Sequence, residues 1–232
     1  RRHTRSFHVT GVQTCALPIW RLKDANGADW RDYTEHAFVR QLADGSLPEA
    51  AFRRYLVQDY LFLIHFARAY ALAAYKSDTL ADIRLASASL SNIAEREMSL
   101  HVTFCKGWGL SEAEMEATPE ARETMAYTRF VLERGMAGDL LDLHVALAPC
   151  LVGYAEIAKA IGPVASNNPY RPWVEAYASD DYQGVAAREV TALDGLMERR
   201  GGPGRFTSLA AIFSGATRLE ADFWQMGLNA SR

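Results

Sequence analysis

The run from Leu140 to Ile161, LLDLHVALAPCLVGYAEIAKAI, constrains this chain more than any other stretch. It is strongly apolar and helix-compatible throughout except at Pro149. A proline has no N–H, so the carbonyl of Val145 loses its partner and the helix is expected to bend there. The bend falls beside a lone thiol, Cys150. Helical spacing puts Tyr154 one turn further on the same face, so a phenol and a thiol can line one pocket. The plainer reading is that Cys150 is a small buried hydrophobe, the usual fate of a free cysteine. The run contains Asp142, His144, Glu156 and Lys159, and no stretch of about 18 apolar residues is free of charge, so no membrane span is expected.

The 232 residues, 49% hydrophobic and 23% charged, suit one globular domain with a sizeable core. Net charge is −3 with both signs interspersed, which gives no electrostatic reason to expect nucleic acid or an anionic membrane as partner. The three cysteines form neither a disulfide framework nor a CxxC metal pair, and a reducing, cytoplasmic compartment is expected. Residues 1–19, RRHTRSFHVTGVQTCALPI, differ in composition from the remainder of the chain and have no period, no initiator Met and no signal-peptide core. They resemble translated sequencing-adapter read-through. They are treated as a non-native segment replacing a truncated N-terminus, and Cys15, His3 and His8 are set aside with them. One domain is expected over residues 20–232.

From Trp20 the apolar spacing is helical everywhere. Helices are expected over Trp20 to Leu42, Pro48 to Lys76, Asp78 to Trp108, Pro119 to Met136, Gly138 to Ile161, Ser179 to Arg199, and Arg205 to Leu228. Punctuation supports this: Pro48 suits a first helical position, Ser111 with Glu114 reads as a capping box, and Thr118-Pro119-Glu120 reads as a helix start. Asn167-Asn168-Pro169 and Gly201-Gly202-Pro203-Gly204 read as turns. The fold class is all-α.

Three polar clusters sit within apolar helices. Asp59 shares a face with Phe62 in QDYLFLIHF, and such an aspartate is costly to bury unless paired or bound to a ligand. Glu220 stands one turn before Trp224, and Glu97 one turn before His101. Each has a bland alternative: Asp59 paired with Arg53 or Arg54, Glu220 on a solvated face, and Glu97 with His101 as an ordinary i,i+4 pair.

In order, QDYLFLIHFARAYA, EREMSLH, AYTRFVLERG, ALAPCLVGYAEI, PWVEAYAS and LEADFW resemble the thiaminase II (TenA) family of helical pyrimidine hydrolases. The resemblance covers Trp20 to Leu228. It implies a single helical bundle like that of haem oxygenase, assembled as a homotetramer. It also implies that Cys150 is the nucleophile, placing the chain in the cysteine-containing branch. Asp59 would hold the amino edge of the pyrimidine and Glu220 would meet a ring nitrogen. Tyr127 would pack on the ring, with Tyr177 and Tyr154 near the thiol. Phe62 departs from members with tyrosine there, which removes a hydroxyl from the leaving-group side.

The implied activity is that of an aminopyrimidine aminohydrolase in thiamin salvage. It converts 4-amino-5-aminomethyl-2-methylpyrimidine to the hydroxymethyl compound, with thiamin cleavage as a second activity and no cofactor or metal. A flat aminopyrimidine suits aromatic faces with carboxylates at its edge. No Lys or Arg in the helical turn of Cys150 would activate it, so activation is expected from Tyr177, Tyr154 or the substrate complex. Two alternatives stand beside this. One is a haem-oxygenase-like metal-dependent oxidase using Glu97 and His101 with His36, His65 or His144. The other is a non-catalytic helical regulatory or interaction protein.

Overall fold

The computed structural model describes residues 18–230, and among them every regular element is helical. Three short helices, α1 (Pro18–Ala25), α2 (Gly27–Thr34) and α3 (Ala37–Asp44), lead into the long α4 (Glu49–Lys76). Next come α5 (Leu80–Asn92), a π-helical turn (Ile93–Glu97), α6 (Met98–Gly107), α7 (Glu112–Glu116) and α8 (Arg122–Ala137). The remaining described elements are α9 (Leu140–Ile161), α10 (Arg171–Ala178), α11 (Asp180–Arg200) and α12 (Phe206–Asn229).

The apolar run is α9, and it is the centre of the bundle. It packs against α11, α12, α10, α8, α4 and α2, which is how a helix apolar nearly all round satisfies its whole surface. By length and composition α9 could cross a membrane, but 89% of its most apolar window is buried in the fold. Its start is fixed by a capping box, with Asp139 accepting from the N–H groups of Leu141 and Asp142. Arg205 clamps both acids, at 2.7 Å to Asp139 and 2.6 Å to Asp142. The helix continues unbroken through Pro149.

Several expected boundaries are corrected. Trp20 to Leu42 is three helices, not one. Asn26 interrupts it by turning its side-chain amide onto the carbonyls of Leu22 and Ala210, and His36 caps α3 by accepting from the N–H of Phe38. Pro119 does not start α8, which begins three residues later. The buried Gln58 donates to the Pro119 carbonyl and accepts from the Ala121 N–H, and Ala121 is left extended. The span from Asp78 to Trp108 is two helices joined by the π turn. The segment around Pro172 forms α10, outside the expected helices. Of residues 1–19, 1–17 lie outside the described residues, while Pro18 and Ile19 belong to α1 and Ile19 is buried.

Candidate active site

Five helices bring the sequence candidates together in the middle of the bundle. Cys150 and Tyr154 come from α9, Asp59 and Phe62 from α4, Tyr127 from α8, Tyr177 from α10 and Glu220 from α12, and all seven are buried. Tyr127 donates to Glu220 Oε1 at 2.8 Å, and its ring lies against Phe62 with centroids 4.8 Å apart. Phe62 also meets Phe223. On the other side Tyr154, Tyr177 and Trp173 pack ring on ring, with centroids 4.5 to 5.8 Å apart. Tyr182 stands edge-on to Tyr177.

Asp59 does not pair with Arg53 or Arg54. Its Oδ2 accepts from His101 Nε2 at 2.7 Å and from the Tyr55 hydroxyl at 3.0 Å. His101 Nδ1 is 2.8 Å from the backbone carbonyl of Glu97. A carbonyl can only accept, so Nδ1 carries a proton; Nε2 faces a carboxylate and carries one too. His101 is therefore an imidazolium. Burial alone would lower its pKa, but the hydrogen bond and charge of Asp59, with the Glu97 carbonyl, raise it. Tyr55 extends the network to Tyr154 and Trp173. Both contacts to Asp59 fall on Oδ2, which leaves Oδ1 to accept from a ligand.

Glu220 is no surface acid. Burial lifts its pKa to about 8, with Tyr127 and Cys150 pulling it partly back and the Asp59 charge pushing it up. It is a neutral carboxylic acid near pH 7. Cys150 is held well above the ordinary thiol range, first by burial and then by Glu220, Glu97 and Asp59. The resting group is a thiol, and the ionisable group acting on it most strongly is Glu220. Cys105 is also buried, and burial lifts it to about 11.

Sequence reasoning did not single out Tyr55, Trp173 or Tyr182, although Trp173 lies in the PWVEAYAS motif. It also misplaced Glu97: the acid makes no side-chain pair with His101, and burial raises its pKa to about 7. The histidines named for an oxidase each meet another partner, His36 capping α3 at the N–H of Phe38. Both nitrogens of His101 are engaged, His144 is bound to Glu189 at 2.6 Å and His65 to Glu120 at 2.8 Å. Among the described residues no three His, Cys, Asp or Glu side chains are grouped to hold a metal ion.

Residues 26–230 match the TENA/THI-4/PQQC family. The chain belongs to that family. A Haemophilus influenzae relative of uncharacterised function is 42% identical, over 86% of this chain and 94% of its own length. An aminopyrimidine aminohydrolase from Halalkalibacterium halodurans is 37% identical, over 86% of this chain and 90% of its own. The crystal structure of a TenA family transcription regulator from Silicibacter superposes with a TM-score of 0.87 at 45% identity, covering 91% of this chain and 96% of that one. The haem-oxygenase-like architecture is shared with a Shewanella denitrificans domain at a TM-score of 0.71. That chain is 13% identical and covers 91% and 92% of the two chains, so the likeness concerns fold alone.

Proposed function

We propose that this family member is an aminopyrimidine aminohydrolase acting on 4-amino-5-aminomethyl-2-methylpyrimidine, with thiamin as a second substrate. The observation that carries this reading is the Cys150 thiol beside the protonated Glu220, with the Asp59 carboxylate in the same aromatic-walled cluster. Relatives named aminopyrimidine aminohydrolase support it.

The chemistry is set by these protonation states. The ring sits between the Phe62–Tyr127 side and the Tyr154–Tyr177 side, with its 4-amino group donating to Asp59. Sulfur bonds to the ring carbon next to the one bearing the methylene. The displaced π pair goes to the ring nitrogen, which takes the Glu220 proton while the thiol proton passes to Glu220. One carboxyl thus relays a proton, and no free thiolate is needed. The 4-amino lone pair then expels the amine from the methylene, and Asp59 stabilises the positive charge growing on that nitrogen. Water adds to the methylene, sulfur leaves the ring, and the ring proton returns to sulfur through Glu220. The balance is substrate ammonium plus water to hydroxymethylpyrimidine plus ammonium ion.

The reading includes Cys150 as nucleophile, hence the cysteine-containing branch, with no cofactor. It also includes a cytoplasmic setting and a homotetramer, with a small-molecule partner and neither nucleic acid nor membrane. The test is ammonia release from the aminomethyl pyrimidine by wild type and Cys150→Ser. Turnover by the wild type that the variant loses is the expected result. The name of the Silicibacter structure favours a regulatory alternative. Pyrimidine binding without any ammonia release would establish that alternative instead.

A further inference from the structure

Glu97 has no place in the chemistry just described, yet it is buried and its Oε1 has no hydrogen-bond partner in the protein. Leaving a buried carboxyl oxygen unpaired is costly, and a fold tolerates it where a ligand supplies the missing donor. The acid ends the π turn, where the helical ladder is locally reset. It also lines a cleft of about 180 Å³ with Tyr177, Tyr182, Asn92 and the exposed Arg96–Asp181 ion pair. The cleft therefore runs from solvent to the aromatic wall of the site. Its inner end reaches Tyr177 of the site, and the backbone carbonyl of Glu97 lies 2.8 Å from Nδ1 of His101, the imidazole that also holds Asp59.

The ligand chemistry is restricted. The carboxyl sits beside an Asp59–His101 pair that is already neutralised internally, so no protein cation is left over for it. It needs a compact donor of positive charge. The 4-amino group and the methylene occupy neighbouring carbons of the pyrimidine. A ring held by its amine at Asp59 therefore keeps the methylene substituent close to the Asp59–His101 pair, and His101 in turn bonds the backbone carbonyl of Glu97.

We propose that Glu97 receives the protonated amine on the substrate methylene and so sets a preference for primary-ammonium substrates over thiamin. This assignment rests on the aminohydrolase reading. An –NH3+ group presents three donors to the unpaired oxygen, whereas the quaternary thiazolium nitrogen of thiamin has none. The carboxylate holds the ammonium while the C–N bond breaks and its electron pair leaves with nitrogen.

The test compares steady-state kinetics of wild type, Glu97→Gln and Glu97→Asp on the aminomethyl pyrimidine and on thiamin. Binding of the hydroxymethyl pyrimidine is measured by calorimetry alongside. In Glu97→Gln, KM for the aminomethyl compound should rise about 10- to 100-fold, the range for a hydrogen bond to a charged group. KM for thiamin and the affinity for the hydroxymethyl compound should stay within about twofold. Glu97→Asp should fall between, because it keeps the charge and shortens the reach. Equal losses on both substrates, or no loss on either, overturn the assignment while leaving the aminohydrolase reading intact. A wild type that releases no ammonia from the aminomethyl compound removes both.

Discussion

At the scale of single residues, burial separates two thiols that look alike in composition. Cys150 stands beside Glu220 within the cluster of acids and aromatics, while Cys105, near the end of α6, has no exposed surface. Iodoacetamide should therefore label the peptide carrying Cys150 and abolish turnover, slowly because the resting group is a thiol, and substrate should protect. Peptide mapping that finds inactivation tracking Cys105 instead would count against the nucleophile assignment. Glu220 gives a second prediction. Its acid form serves the ring nitrogen and its pKa is about 8, so kcat/KM should fall as pH rises through about 8. Glu220→Gln should lose about 100- to 10,000-fold in single-turnover rate and much less in affinity, because an amide still donates a hydrogen bond but transfers no proton. An unchanged chemical step with a large loss of affinity would make Glu220 a binding group only.

At the scale of elements, the position of Cys150 depends on a contact between helices distant in sequence. Gly153, one turn along α9, leaves room for the Tyr33 ring of α2, and three atoms of that side chain lie within 3.0 Å of where a Cβ would stand. The Tyr33 hydroxyl reaches the Pro149 carbonyl at 3.3 Å, next to the thiol. Gly153→Ala should drive α2 off α9, at the roughly 1–3 kcal/mol typical of overpacking, and lower Tm by several degrees and turnover with it. Tyr33→Phe, which keeps the ring and drops one long hydrogen bond, should cost far less. An alanine variant melting like wild type would show that α2 is not constrained there. The helices, α9 as core and the inward faces of α4 and α12 were legible because apolar periodicity reports burial directly. Asp59, Cys150 and Glu220 stood out as polar groups inside apolar runs, while the roles expected of them rested on the family resemblance. What was not legible depends on long-range hydrogen bonding: Gln58 delaying α8, Asn26 breaking the first helical run, and His101 turning from Glu97 to Asp59. No local signal marks the π turn that aims Glu97 inward.

At the scale of the whole molecule, the buried ionisable groups set how stability responds to pH. Glu97 and Glu220 have pKa values raised to about 7 and about 8 from 4.5. Below about 4.5 each is protonated whether folded or unfolded and costs nothing in linkage. As pH rises above that, the unfolded chain ionises first, so stability falls until the folded pKa is passed. His101 and His144 add the same sign. Their folded pKa values are raised, with burial opposed and outweighed by Asp59 and by Glu189 respectively, so their contribution is present below about 6.5 and lost as pH rises. His36 and His65, lowered mainly by burial, oppose this where acid would protonate them in the unfolded chain. Asp139 and Glu120 are lowered despite burial, by Arg205 and Arg129, so their stabilisation is lost as pH falls below about 4. The fully buried groups carry the larger shifts, so Tm should peak near about pH 5 and decline toward about pH 8. A Glu97→Gln/Glu220→Gln double variant should decline less and should melt above wild type at about pH 8, with the two curves converging near about pH 4. Thermal melts at half-unit pH steps test this, and parallel curves for the two proteins would mean that these carboxyls are not buried in solution.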